Sequence, residues 1–134
     1  MASFTAASSE RFKAEIKPMN ESSEAILALK PATFHYKNDS KRTPQFGLVA
    51  EQVAKVNPDL VVRDKNGEIY TVRYDAVNAM LLNEFLKEHR KGEAQQKEID
   101  ALRVELKEQK ALIQKVNDKV ELKRSAPKAV VDDR

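Results

Sequence analysis

The chain has 134 residues, a length typical of one domain or of a small domain with an appendage. Its 24 basic and 21 acidic residues interleave rather than form a block, which argues against a nucleic-acid-binding protein. The absence of cysteine excludes disulfides and thiolate metal sites, and no apolar run approaches the length of about 18 residues that a membrane-spanning helix needs. We therefore expect no metal, cofactor, nucleic acid or membrane as partner.

A hydroxyl and an amine lie close in sequence near the N-terminus, at Ser8 and Lys13. A lysine can activate a serine as general base when burial or a neighbouring cation lowers the lysine pKa from about 10.4 toward about 7–8. A spacing of five residues separates the two side chains both in a strand and on a helix. A working pair therefore needs a turn at Ser9–Glu10 or a lysine from another copy of the chain.

The next elements are short. Residues 10–18 alternate apolar and polar side chains, which predicts a half-buried strand or extended segment. Asn20 or Ser22 is a candidate cap for a helix that ends before Pro31. Thr33–Tyr36 has the composition of a strand.

Apolar residues recur every three or four positions after Gly47. This spacing predicts an amphipathic helix of about ten residues that stops before Asn57–Pro58. Further on, Leu60–Arg63 and Ile69–Val72 flank a segment that contains Asn66–Gly67. An Asn-Gly pair between two β-branched runs predicts a hairpin.

From about Asp75 the chain is predicted to be helical, and its last part has apolar residues at the a and d positions of a heptad repeat. These residues are Ile99, Leu102, Leu106, Ile113, Val116 and Val120. Gln109 fills the one polar slot, and the repeat is interrupted over Arg90–Gln96. Because a small domain cannot cover so narrow a stripe, we expect copies of the chain to form a parallel coiled coil. The residue types leave dimer and trimer both open.

The two histidines, His35 and His89, are too far apart in sequence for metal-ligand spacing. No cluster of histidine and carboxylate residues accompanies either of them. Structural roles are therefore predicted for both.

Three segments, in this order along the chain, carry a resemblance to a known family: Ser8–Lys13, Phe46–Val53 and Val72–Val77. Together they closely resemble the intramolecular chaperone domain, of the peptidase S74 type, of endosialidase tailspikes and related phage and bacterial tail-fibre proteins. The same module is similar to the self-cleaving domain of myelin regulatory factor. The resemblance covers roughly Ser8 to Leu86.

This resemblance implies a homotrimer that helps an upstream fibre polypeptide to trimerise and fold, then releases itself by serine autoproteolysis. The domain would act as a single-turnover, self-cleaving serine endopeptidase in a phage virion, a bacterial fibre or a cell-surface context. By motif position, Ser8 is the nucleophile, Lys13 is the general base, and the scissile bond is Ala7–Ser8. We expect this Ser–Lys dyad to form only in the oligomer.

Three further residues have expected roles by the same resemblance. Arg11 matches the motif's arginine and is expected to hold the segment in place, or to favour a neutral lysine through its like charge. Gly47 and the helix after it match the second motif, and we infer that their free N–H groups serve an oxyanion. Ser9 stands where the family often has aspartate, which leaves it as a second candidate nucleophile.

The predicted architecture is α+β: a small mixed domain of short strands and helices, followed by a long C-terminal helix in a parallel trimeric coiled coil. Residues 1–7 would be the upstream remnant before the cleavage site, 8–90 the chaperone and self-processing domain, 91–122 the coiled-coil stalk and 123–134 a flexible tail. The alternative is a non-cleaving trimerisation and assembly module of the same fold.

Overall fold

The computed structural model describes residues 7–126, and these form a small domain of short elements followed by one long helix. This architecture confirms the predicted α+β fold. The strands are β1 (Ala32–Phe34), β2 (Gln45–Gly47), β3 (Val61–Arg63) and β4 (Ile69–Val72), and the α-helices are α1 (Ala50–Val56) and α2 (Tyr74–Ser125). Within the described part of the chain there are also 3-10 helices over Glu10–Phe12, Asn20–Ala28 and Pro58–Leu60.

The N-terminal segment, residues 7–18, differs from its prediction. Every side chain in it is exposed, and residues 10–12 form a 3-10 helix, so the predicted half-buried strand is wrong. Glu15 has a φ of 53°, in the left-handed region, and a strand cannot continue through such a residue. The alternating sequence therefore packs neither face against the domain.

The helix predicted after residue 20 forms over Asn20–Ala28, but as a 3-10 helix. Its N-cap is Met19, without a side-chain cap, so the prediction of Asn20 or Ser22 as the cap is wrong. Asn20 has a φ of 47°, whereas a capping side chain needs extended backbone at its own residue. The helix buries two side chains, Ser23 and Ile26.

Two antiparallel hairpins follow, and the first contains a strand that the periodicity did not predict. In this hairpin Ala32 pairs with Gly47 and Phe34 pairs with Gln45. Residues 45–47 are thus extended, and α1 begins only at Ala50, later than its apolar spacing indicated.

The second hairpin confirms the prediction from Asn66–Gly67. Val61 pairs with Val72, and Gly67 has the positive φ of 81° that this tight connection requires. The Asp64 carboxylate accepts hydrogen bonds from the backbone N–H groups of Asn66 and Glu68, which fixes the loop between the strands.

The core of the domain takes apolar side chains from each of its larger elements. Its members are Ile26, Val53, Leu60, Val72, Val77 and Met80. Val53 of α1, only 1% exposed, is the most deeply buried of them. Because the core is small, the first turns of α2 are held by few apolar contacts and by the polar contacts described below.

Residues from His89 onward form a second compact unit, in which the described residues are the rest of α2. The helix continues without a break through residues 90–96 and ends at Ser125, beyond residue 122, the predicted end of the stalk. Every described residue of this unit is exposed, and the apolar a and d residues range from 42% exposed for Val120 to 60% for Ile113. Of the predicted remnant (1–7), residues 1–6 lie outside the described residues, and so do residues 127–134 of the predicted tail (123–134).

Among the helices that the structure describes, none combines the length and the apolar character needed to cross a membrane.

Candidate functional site

The side chains of Ser8 and Lys13 meet at the start of the domain. Lys13 Nζ donates a hydrogen bond of 3.1 Å to Ser8 Oγ. The first 3-10 helix turns the chain between them: the Phe12 N–H donates to the Ser9 carbonyl at 3.0 Å, and the Lys13 N–H donates to the Glu10 carbonyl at 2.9 Å. The structure therefore contains the turn that the five-residue spacing requires.

This contact lies within one chain. The expectation that the two side chains meet only in the oligomer is therefore wrong, because the short helix shortens the path between them. The ammonium bonds to the hydroxyl of Ser8, and within residues 7–126 it makes no hydrogen bond to the neighbouring hydroxyl of Ser9.

The Ser8–Lys13 pair is exposed to solvent. All residues from 7 to 18 are exposed, so both Ser8 and Lys13 are accessible to solvent. In the observed hydrogen bond the lysine is the donor, whereas a general base must accept the serine proton as a neutral amine. Neutral lysine requires burial or a neighbouring cation. The single chain therefore brings the two side chains together in an exposed segment.

Arg11 stacks on the aromatic ring next to it. Its guanidinium carbon lies 4.6 Å from the centre of the Phe12 ring, a cation–π contact in the middle of the turn. The contact restrains the turn that separates Ser8 from Lys13. Of the two roles expected for Arg11, it favours holding the segment in place.

Gly47 has a packing role in this structure. It ends β2, and a Cβ atom at this position would lie 2.9 Å from the Tyr74 hydroxyl and 3.4 Å from the Phe34 ring. The Tyr74 hydroxyl accepts a hydrogen bond of 3.1 Å from the Leu48 N–H. Glycine therefore allows the first residue of α2 to approach the first hairpin closely. The Leu48 N–H, which follows Gly47 in the segment inferred to serve an oxyanion, is already occupied by this bond.

A second polar cluster, which the sequence did not indicate, joins the Asn20–Ala28 helix to α2. Ser23 is fully buried; its hydroxyl lies 2.5 Å from a Glu84 carboxylate oxygen and accepts a 2.7 Å hydrogen bond from the Asn83 amide. Lys87 donates to the same carboxylate oxygen at 2.7 Å and lies 3.7 Å from the carboxylate of Glu24. We call Ser23, Asn83, Glu84 and Lys87 the interhelix cluster.

The hydrogen bonds of the interhelix cluster shift the ionisation of both charged members. The bonds from Lys87 and then from Ser23 hold the pKa of Glu84 below its ordinary value. The bond to Glu84 in turn raises the pKa of Lys87. Ser23 is 60 and 61 residues from Asn83 and Glu84, so no local spacing could have predicted this arrangement.

The histidines do not form a site. His35 Nδ1 lies 3.2 Å from the Thr43 carbonyl, across the first hairpin loop, and His89 Nε2 lies 3.5 Å from the Glu93 carboxylate on the next turn of α2. Among the described residues, no three histidine or carboxylate side chains are placed to bind a metal ion together.

Fold and contacts together define a small α+β domain that begins at a serine–lysine pair and continues into a long helix. Residues 8–62 match the model of the peptidase S74 family, described as the chaperone of endosialidase. This match starts at Ser8 and includes Gly47, and it confirms the resemblance predicted from the sequence: residues 8–62 are similar to the intramolecular chaperone domain of this family. The third resembling segment, Val72–Val77, lies beyond the matched residues. A comparison with curated proteins finds no match.

Proposed function

We propose that this chain is a C-terminal intramolecular chaperone that trimerises through α2, assists the folding of an upstream fibre polypeptide and then releases itself by cutting Ala7–Ser8. The observation that carries the proposal is the 3.1 Å hydrogen bond between Lys13 Nζ and Ser8 Oγ. It lies at the first residues of the matched chaperone domain, where a cut separates the domain from whatever precedes it.

The proposed cut uses atoms that are adjacent in the chain. Lys13, as a neutral amine, takes the proton of the Ser8 hydroxyl while the hydroxyl oxygen attacks the Ala7 carbonyl carbon. The Ala7–Ser8 C–N bond then breaks, the Ser8 nitrogen takes up a proton, and an ester joins the Ala7 acyl group to Ser8 Oγ. Water hydrolyses this ester, which leaves a carboxylate on Ala7 and restores the Ser8 hydroxyl.

Assembly of a trimer would shield the Ser8–Lys13 pair from water. The a and d residues of the second unit are exposed, and a parallel trimer of α2 helices would cover this stripe. Three domains brought side by side can exclude water from the exposed segment 7–18 and so favour a neutral lysine. We accordingly assign residues 8–90 to the chaperone and self-processing domain and residues 91–122 to the stalk. A single turnover needs only modest positioning of the pair, which one short helix provides.

The cleavage is tested by placing a folded, trimeric fibre segment upstream of residue 1 and following fragment sizes on a denaturing gel. We expect wild type and Ser9→Ala to give two fragments and Ser8→Ala to stay intact. Mass spectrometry should find Ser8 at the new N-terminus. If wild type remains as uncut as Ser8→Ala, self-cleavage is wrong for this chain. If only Ser9→Ala stays intact, the nucleophile is Ser9.

The assembly is tested by charge placed in the stripe. Ile113→Asp, at an a position, should dissociate the oligomer because a charge would enter the shared seam. Val104→Asp is the matched control, since Val104 is 59% exposed, close to the 60% of Ile113, but lies at an f position outside the stripe. Equal masses for both variants in sedimentation equilibrium would contradict the proposed coiled coil.

The second candidate, a non-cleaving assembly module of the same fold, is favoured by one observation: the serine–lysine pair is exposed in the single chain. This candidate predicts a trimer whose chain stays full length with the fibre segment attached.

A further inference from the structure

The start of α2 carries apolar side chains on two different faces. Val77 and Met80 point into the core, where they are 6% and 7% exposed. Leu81 and Leu82 belong to the same apolar run in the sequence, yet they remain 53% and 58% exposed. The domain therefore covers only part of the broad apolar face that the sequence predicts for this helix.

The exposed part has the same phase as the heptad repeat of the second unit. Counting back three heptads from Ile99 and Leu102 assigns Asn78 to an a position and Leu81 to a d position. In the same frame Leu82 is at an e position and Val77 is at a g position. Leu81 is thus an in-register member of the stripe, separated from it by the polar interruption.

A cavity of about 240 Å³ lies on this side of the helix. Its helical wall includes Val77, Asn78 and Leu81, and its other walls include Leu29 and Leu48. Because one a residue and one d residue line it, the cavity borders the face along which a second helix would lie. A dry cavity on the order of 150 Å³ already holds a benzene-sized group, so this one has room for a leucine side chain.

We infer that a neighbouring copy of this chain packs onto the domain at this point, with its Leu82 seated in the cavity and the Leu81 side chains meeting at the seam. In a parallel coiled coil the e and g positions of adjacent helices flank the core layers. A neighbour's Leu82, at e, therefore faces Val77, at g, which lines the cavity. The inference rests on the proposed parallel assembly and extends that interface from the stalk into the chaperone domain.

The phase of the exposed residues supports a second copy rather than an unrelated client. Leu81 and Leu102 are separated by three whole heptads, so one supercoiled seam can include both. If a client polypeptide bound at Leu81 instead, Leu81 would not need to lie a whole number of heptads from the stalk residues. The interruption between them, which puts Glu88, Gly92 and Gln95 in core slots, divides the interface into two apolar sections.

Single cysteines test this interface, because these 134 residues contain none. Leu81→Cys and Val116→Cys place a thiol at a d position of the domain and of the stalk, respectively. Leu27→Cys is the control, since Leu27 is 73% exposed on another element of the domain. Under mild oxidation of the full chain we expect the first two variants to form interchain disulfides rapidly, at least about tenfold faster than the control.

The outcomes distinguish the proposed interface at Leu81 from the proposed parallel assembly of the stalk. Cross-linking at residue 116 without cross-linking at 81 would overturn the domain interface and leave the stalk assembly standing. Cross-linking at neither position would overturn the parallel assembly itself. Equal cross-linking of Leu81→Cys and Leu27→Cys would mean random collision and would also overturn the inference.

Leu82 is tested separately by self-association. Leu82→Lys should weaken association at least about tenfold in sedimentation equilibrium, because a charge would enter an apolar cavity. The volume-conserving Leu82→Met should keep association near the wild-type level. Leu27→Lys is again the control, and a Leu82→Lys chain that associates as wild type does would contradict the seating of Leu82.

Discussion

Two serines of this domain contact charged side chains, and their surroundings differ completely. Ser23 is fully buried and bonds to both Glu84 and Asn83, whereas Ser8 is exposed and has Lys13 as its side-chain partner. The buried hydroxyl is satisfied and closed to any substrate, so its role is to join two helices. The exposed hydroxyl of Ser8 is adjacent to the bond that the proposed mechanism cuts. Both serines have a charged neighbour, so solvent exposure is what distinguishes Ser8, the candidate nucleophile, from Ser23, which has a structural role.

The largest expected effect concerns the amine beside Ser8. Lys13→Met should lower the self-cleavage rate by about 10²–10⁴-fold, because the proposed general base is lost. Lys13→Arg should be equally inactive, since a guanidinium keeps the charge but does not deprotonate. Lys17→Met, a change at another exposed lysine of the segment, should cleave normally. The readout is the fragment ratio over time with the upstream fibre segment attached; cleavage by Lys13→Met at the wild-type rate would remove Lys13 from the mechanism.

The next effect concerns the buried serine. Ser23→Ala should lower the free energy of unfolding by about 1–3 kcal/mol, because the partly buried partners Asn83 and Glu84 lose a hydrogen bond. The exposed neighbour Ser22→Ala should change it by less than about 0.5 kcal/mol. Urea titration followed by circular dichroism measures both. Ser23→Ala should nevertheless still cleave, and a stable but uncut Ser23→Ala chain would contradict the contrast between the two serines.

The third prediction concerns Gly47, the glycine of the resembling segment Phe46–Val53, and compares it with the exposed Gly92. Gly47→Ala should destabilise the domain by about 1–3 kcal/mol, because its Cβ would crowd the Tyr74 hydroxyl. The same change in a Tyr74→Phe background should cost less, since the crowding oxygen is absent. Gly92→Ala, a position with no atom within 4 Å of the added Cβ, should instead stabilise the helix by about 0.5–1 kcal/mol. Thermal unfolding tests all three, and additive effects of Gly47→Ala and Tyr74→Phe would rule out the crowding.

The smallest effect is the pH dependence of the interhelix cluster. The pKa of Glu84 is lowered in the folded chain, so its contribution to stability is present above the unfolded value of about 4.3 and is lost as the pH falls through the folded value. The pKa of Lys87 is raised, so its contribution is present below the unfolded value of about 10.4 and is lost as the pH rises through the folded one. The pair therefore stabilises the fold from about pH 5 to about pH 10.

Glu84→Gln should remove the part of the pH dependence of stability that comes from the Glu84 carboxylate at acidic pH. The loss of stability between pH 7 and pH 3, measured by urea unfolding, should be smaller in Glu84→Gln than in wild type. Glu68→Gln, a change at an exposed carboxylate in the second hairpin loop, is the control and should lose as much stability as wild type. If Glu84→Gln and Glu68→Gln have the same pH profile, the cluster does not contribute in this way.

The sequence by itself determined the features that depend on neighbouring residues. Asn66–Gly67 between β-branched runs specified the second hairpin, because few residues tolerate the positive φ of that turn. The periodic apolar residues after Asp75 specified α2. The order of the motifs indicated the resemblance to the chaperone family, and the match over residues 8–62 supports it.

Only the tertiary structure decided the features that depend on residues far apart or on backbone geometry. Strand β2 exists because it pairs with β1, and Gly47 is needed because Tyr74, a residue 27 positions later, approaches it. Ser23 is buried by a helix more than 50 residues away in sequence. The contact between Ser8 and Lys13 depends on a short 3-10 helix, whereas both regular geometries keep these residues apart. The spacing of apolar residues indicates which face of a helix or strand is apolar. Contacts between elements form only when the chain folds and packs.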